Sequence, residues 1–213
     1  MSLLDQFEKI LVLCAHTDDE FGCAGSIIKF AETKASIKYV ALSRCEESVP
    51  AGLSKDILEK ECRIASGVLG LKKDDVEINS FKVRHFPRDR QEILEKLVKL
   101  NNEYHPDLIF LPCSKDMHQD HKITYEEGFR AFKYSTLLGY ELPQNINTFS
   151  HTAFIKLSED QINKKIQAMS SYKSQEFRNY SRSDFIKGLA NVRGAQCNTK
   201  FAEAYEVIRL IIN

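Results

Sequence analysis

Two short clusters carry the side chains in this chain that can do chemistry, His16-Thr17-Asp18-Asp19-Glu20 and His118-Gln119-Asp120-His121. Together they offer a divalent cation two imidazoles and a carboxylate, from His16, Asp19 and His121, and leave Asp18 and His118 outside the coordination sphere for proton transfer. Three protein ligands leave one position for water, whose pKa a bound zinc ion lowers towards about 7. Neutral imidazole with carboxylate is a borderline donor set, which makes Zn2+ the leading ion, although iron or cobalt can use the same donors. The inventory suits metal-assisted hydrolysis.

Each remaining polar residue of the clusters has a task that can be tested. Asp18 is the best general base, because it sits beside Asp19 without being consumed by coordination. His118, in its protonated form, can stabilise a tetrahedral oxyanion and then protonate a departing nitrogen. Asp120 can accept the other imidazole proton and orient His118. A helix would put His118 and His121 on one face at i,i+3, and a turn can also make them converge. The ordinary alternatives are a capped turn for His16, an Asx turn for Asp18, a helix cap for Asp19 or Asp120, and structural support for Glu20.

Both clusters follow runs that read as buried strands. Ile10 to Ala15 is continuously apolar, and Leu108 to Leu111 lies between Pro106-Asp107 and Pro112. Neither run alternates, so each fits an interior strand of a sheet covered on both faces, with ligands bound beyond the carboxyl ends. The rest of the chain alternates in type. Helices are predicted over Ser26 to Glu32, Ile57 to Leu69, Gln91 to Asn102, Ile123 to Leu138 and Glu159 to Met169, with strands over Ile37 to Leu42, Asp75 to Phe81 and Thr152 to Leu157. Glu203 to Ile212 begins with helix formers and ends β-branched, so its type stays open. This order predicts an α/β fold with helices on both faces of a mostly parallel sheet.

The 213 residues fit one domain, 1–213, and its 30 basic and 30 acidic side chains cancel. That balance, with no basic-aromatic module, argues against nucleic acid as the partner. The six cysteines, with no CxxC pair, read as reduced and mostly buried thiols, which points to the cytoplasm. The sequence has no signal-peptide pattern and no apolar stretch approaching the roughly 20 residues of a membrane span. Oligomeric state is left open.

The chain resembles the PIG-L/LmbE-like family of metal-dependent N-acetylglucosaminyl deacetylases. The family's AHPDDE signature has its counterpart in Ala15-His16-Thr17-Asp18-Asp19-Glu20, and its HxDH signature in His118-Gln119-Asp120-His121. Further similarity lies in Gly22 and Gly25, in Glu61 with Ala65 and Leu69-Gly70, in Ser174-Gln175, and in Ala202-Glu203-Ala204-Tyr205-Glu206. The resemblance implies a Rossmann-like three-layer fold, metal ligation by His16, Asp19 and His121, Asp18 as base and His118 as the assisting histidine. It also implies that an acetamido group on a GlcNAc-type sugar or conjugate is hydrolysed to acetate and a free amine. Hydrolysis of another small amide in amino-sugar, polysaccharide or antibiotic metabolism is the alternative, and noncatalytic sugar binding is a third reading.

Three departures from the family pattern bear on substrate recognition. Thr17 stands in the place of the usual proline, Tyr172 in that of a histidine common before the SQ pair, and Ser43-Arg44-Cys45-Glu46 differs from the usual loop. Tyrosine can donate a hydrogen bond but cannot replace imidazole in proton transfer near neutral pH. Arg44, Arg63 and Tyr172 are the candidate substrate contacts, and Arg44 and Arg63, with Arg84, are candidate anion contacts should the substrate carry phosphate or diphosphate.

Overall fold

Ile10, Val12 and Cys14 face one apolar layer and Leu11, Leu13 and Ala15 face another, which is why the first run shows no polar alternation. The computed structural model describes residues 6–212, so residues 1–5 and 213 of the expected domain lie outside the described residues. Among these, seven strands form one sheet: β1 (Lys9–Cys14), β2 (Ser36–Ala41), β3 (Val76–Ile78), β4 (Leu108–Pro112), β5 (Thr136–Tyr140), β6 (Ala153–Leu157) and β7 (Phe201–Arg209). Their order is β3-β2-β1-β4-β5-β7-β6. The first five run parallel, while β7 lies antiparallel to both β5 and β6.

The helices are α1 (Ala24–Ala31), α2 (Ile57–Val68), α3 (Phe86–Tyr104), α4 (Gln119–Ala131), α5 (Glu159–Met169) and α6 (Ser183–Gln196). Apolar residues of α1, α2, α5 and α6 pack on one face of the sheet, and those of α3 and α4 on the other. The Rossmann-like α/β fold with a largely parallel central sheet is therefore the observed architecture. The chain leaves β1 towards β2 on one side and leaves β4 towards β5 on the other. That reversal opens a crevice beyond the carboxyl ends of β1 and β4.

Several element assignments change. The helical reading of Ile123 to Leu138 is corrected, because α4 stops at Ala131 and Thr136 already starts β5. The expected Asp75 to Phe81 strand shortens to the three residues of β3, whereas α3 starts five residues before Gln91, with Pro87 in its first turn. The open C-terminal segment is a strand, since β5 and β6 pair with it on both sides. Helix α6 was not anticipated.

The carboxylate of Glu203 in β7 ties the sheet to the helix that follows the first cluster. It accepts from the backbone N–H groups of Gly25 and Ser26 at 2.8 and 2.7 Å, and Lys165 Nζ lies 2.7 Å away. A negative group there satisfies the free amides at the start of α1. A Cβ at Gly25 would come within 2.4 Å of Leu157 Cδ1 and 3.0 Å of Glu203 Oε1, so a larger residue there would displace both side chains.

Candidate metal centre

His16 leaves the carboxyl end of β1, and His118 caps the N-terminus of α4, which puts His121 in that helix's first turn. The sequence had left helix or turn open for this pair, and the answer is a helix with its cap. His118 Nδ1 accepts the Asp120 backbone N–H at 3.2 Å. One nitrogen from each of His16, His118 and His121 lies within 4.8 Å of the others.

The hydrogen bonds around the pair His16 and His121 leave a specific gap. His16 Nε2 donates to Asp120 Oδ2 at 3.0 Å, and His121 Nδ1 donates to Asp116 Oδ2 at 2.7 Å. Each neutral ring has then spent its proton, so the nitrogens that remain are both lone-pair acceptors. Those two, His16 Nδ1 and His121 Nε2, face each other at 3.0 Å. Asp19 closes the triangle, with Oδ1 3.3 Å from His121 Nε2 and Oδ2 3.7 Å from His16 Nδ1. Three donors bound at about 2.0–2.2 Å around one tetrahedral centre lie roughly 3.3–3.6 Å apart, so the spacing fits a zinc-sized cation. His118 is the other available donor.

Electrostatics call for positive charge at the same point, which a proton or a bound cation can supply. Burial alone would lower the pKa of His16, yet the charge of Asp19 and the bond to Asp120 raise it to about 9. Burial is likewise overridden at His121, where Asp19 and Asp116 raise it to about 10. Asp19 itself is held far below the usual carboxylate range against its burial, through the same two imidazoles. Three buried carboxylates thus surround two imidazoles and call for positive charge at their centre.

Asp18 lines the cavity beside this triangle, and Tyr180 Oη donates to its Oδ2 at 3.3 Å. Burial and the neighbouring Asp19 charge push its carboxyl above the ordinary value, with His16 and Arg178 acting in the opposite sense. His118 behaves differently. Burial and the two neighbouring imidazoles lower it to about 4. With Nδ1 accepting the Asp120 N–H, a neutral His118 ring carries its proton on Nε2, and the lowered pKa works against the expected imidazolium.

Other expectations are also corrected. The Asp120 carboxylate orients His16 rather than His118, because it is the His16 ring that reaches it. Tyr172 is buried beneath the floor, where its hydroxyl and that of Tyr39 contact the Thr17 carbonyl and Glu20. Burial raises Glu20 to about 8, against the lowering effect of its bonds to Tyr172 and Tyr39, which favours the protonated acid under the first cluster. Arg63 pairs with Glu59 along α2, and Arg44 pairs with Glu46; neither lines the cavity. Their own neighbouring carboxylates hold them.

The cavity, of about 220 Å³, is completed by residues that the sequence reading missed or left in the background. Arg84, Asn145, Gln175, Arg178 and Tyr180 line it. Asp116 clamps both histidines of the second cluster, since its other oxygen accepts the His118 backbone N–H at 2.8 Å. A carboxylate two residues before one histidine and five before the other was the available signal. Glu61 of α2 accepts from the Ser174 amide at 2.9 Å and from its hydroxyl at 2.5 Å, fixing the segment that carries Gln175 and Arg178.

The pattern of the PIG-L family, GlcNAc-PI de-N-acetylase, matches residues 11–132. Among solved structures, N,N'-diacetylchitobiose deacetylase from Pyrococcus horikoshii is similar with a TM-score of 0.80 at 20% identity, over 95% of this chain and 84% of that one. A conserved protein of Thermus thermophilus gives 0.78 at 22% identity, over 97% of each chain. GalB, the 4-carboxy-2-hydroxymuconate hydratase from Pseudomonas putida, gives 0.74 at 17% identity, over 97% of this chain and 98% of that one. At these identities the structures share the fold, and one of them is a hydratase, so the chemistry has to be argued from the site.

Proposed function

The chain belongs to the PIG-L family of GlcNAc-PI de-N-acetylases, and from that premise we propose that it is a zinc-dependent hydrolase that removes the acetyl group from a GlcNAc-type sugar or conjugate. The observation that carries this reading is the pair of bare imidazole nitrogens 3.0 Å apart beside the Asp19 carboxylate. His16, Asp19 and His121 hold the ion. Asp19 is preferred to His118 as third ligand because its oxygens lie within 3.7 Å of both facing nitrogens. When bound there, a divalent cation supplies Lewis-acid polarisation of the acetamido carbonyl and acidifies water.

The chain's own groups then divide the proton work. Asp18 takes a proton from the attacking water, its basicity raised by burial and by Asp19. As the carbonyl carbon becomes tetrahedral, the His118 Nε2–H donates a hydrogen bond to the developing oxyanion. The carbon–nitrogen bond breaks and Asp18 returns its proton to the departing amine, giving acetate and the free amino sugar. A neutral His118, lowered to about 4, is a hydrogen-bond donor in this scheme rather than the acid.

No helix among the described residues is long and apolar enough to cross a membrane. All six cysteines are free thiols, which supports a reducing compartment and the cytoplasm as the place of work. The test is product identity. Metal-loaded protein incubated with free, phosphorylated, nucleotide-linked and lipid-linked N-acetyl sugars should release acetate and amine in equal amounts from at least one. Release of a different acid would move the assignment to another amide, and binding without release would leave a sugar-binding protein.

A further inference from the structure

The Asp18 carboxylate has one side-chain hydrogen-bond partner among the described residues, the hydroxyl of Tyr180, 3.3 Å from its Oδ2. Asp18 precedes the short turn Asp19–Gly22 without capping it, so no backbone amide of that turn holds its side chain. Arg178 brings its charge to bear on the same carboxylate and lowers its pKa, yet forms no ion pair with it among the described residues. The side chain on which water activation depends is thus oriented by a single hydroxyl.

Tyr180 is itself firmly placed. It sits in a single tight turn, Asn179–Ser181, closed by the Ser181 amide and hydroxyl, which donate to the Arg178 carbonyl at 3.1 and 2.7 Å. Its ring stands edge-on to that of Phe21, with centroids 6.0 Å apart and planes at 65°. Phe21 is buried in the turn that begins at Asp19, so the phenol is anchored on the first cluster itself rather than on Ser174. The same segment meets that cluster at its other end, where the Tyr172 hydroxyl contacts the Thr17 carbonyl. That carbonyl belongs to the peptide leading into Asp18, and the buried Thr17 hydroxyl, which has no partner among the described residues, does nothing to hold it. Two tyrosine hydroxyls of one segment therefore meet the peptide before Asp18 and the Asp18 carboxylate.

A carboxylate can accept a proton on either oxygen, and rotation about its terminal bond exchanges the two. A donor fixed on one oxygen opposes that rotation and commits the other. We propose that Tyr180 is the positioning residue of the base: its hydroxyl holds Asp18 Oδ2, so that Oδ1 is the oxygen presented to the attacking water. This deepens the reading above and rests on it for the role of Asp18. At 3.3 Å the bond is longer than the roughly 2.7–2.8 Å usual between two oxygens, as catalytic hydrogen bonds often are before substrate arrives. Tyr180 passes no proton in this role, because burial and the Asp18 charge push its phenol far above the ordinary tyrosine value. It comes from a segment of the rim, but its hydroxyl serves the floor.

Tyr180→Phe keeps the ring that packs on Phe21 and removes only the hydroxyl. In the zinc-loaded variant, kcat for acetate release is expected to fall about 5- to 30-fold, with KM within about twofold and metal content unchanged, because a misaimed group costs rate rather than binding. The same substitution added to Asp18→Asn protein should cost less than about twofold, since the hydroxyl acts through the carboxylate. An undiminished kcat, a loss carried mainly by KM, or an equal loss with and without the Asp18 carboxylate would overturn the proposal. Crystal structures of the zinc-loaded protein and of Tyr180→Phe give a second measurement that needs no turnover. The Asp18 carboxylate should hold one orientation against Tyr180 in the first and be rotated or divided between conformers in the second, with His16, Asp19 and His121 unmoved. An Asp18 side chain that keeps its orientation without the hydroxyl would equally overturn it. Should the unmodified protein release acetate from no N-acetyl sugar, that result counts against hydrolysis, and the two crystal structures still decide whether Tyr180 orients Asp18.

Discussion

The floor and the rim of the cavity are built in opposite ways. At the floor, His16, His121, Asp116 and Asp120 are buried at strand ends and a helix start, and each imidazole is held by a carboxylate at 3.0 Å or less. At the rim, Arg84 and Arg178 come from irregular segments and keep donors that have no carboxylate partner among the described residues. The difference separates two requirements. A metal needs donors fixed to within fractions of an ångström, which paired and buried groups provide, whereas substrate recognition needs donors still unspent. Chemistry should therefore fail sharply when the floor is altered, and selectivity should drift when the rim is altered.

The strongest way to break that contrast is at a ligand. His121→Ala and Asp19→Ala should lose bound metal and, with it, acetate release down to background, measured as metal per chain and acetate on one preparation. Full activity at low metal occupancy would remove the floor from the chemistry. Next in size, Asp18→Asn should keep its metal and lose about 10²–10⁴-fold in kcat, because only the proton acceptor is gone. Near-normal turnover in the metal-replete variant would reject Asp18 as base.

Asp116→Asn and Asp120→Asn should each weaken metal binding by about 10- to 100-fold in competition with a chelator, since each removes the anchor of one ligand ring. Unchanged affinity would mean that packing alone orients the histidines. The smallest effect is expected at the rim. Glu61→Gln weakens the hold on Ser174, so KM should rise by about three- to tenfold with kcat and metal content near their starting values. A fall in metal content would show that floor and rim are not separable.

Most of the floor was legible because its residues are short-range in sequence and follow continuous apolar runs. His16 to Glu20 and His118 to His121 need only β1 and β4 to be neighbours, and a sheet covered on both faces makes that pairing readable. Gly25, Glu61, Ser174 and Glu203 stood out in the sequence, but their pairing did not, since Glu61 meets Ser174 and Glu203 meets Gly25 only across the fold. The rim was hidden because Arg178 and Tyr180 lie in a segment without periodicity, and nothing local distinguishes a free arginine from one that Glu59 or Glu46 will occupy. Helix α6 carries Gly188 and Gly194, which mask its periodicity. Strand β5 follows α4 so closely that its apolar residues read as more helix, and its Gly139 fits because a Cβ would come within 2.9 Å of Cys113 Cα.

Metal removal and restoration on unmodified protein tests the central claim most directly. Chelator-stripped chain, assayed with an N-acetyl sugar that the untreated protein deacetylates, should release no acetate. Adding zinc should restore release in proportion to occupancy and saturate at one ion per chain. Acetate release that persists in fully stripped protein, or a return of activity unrelated to occupancy of one site, would contradict it.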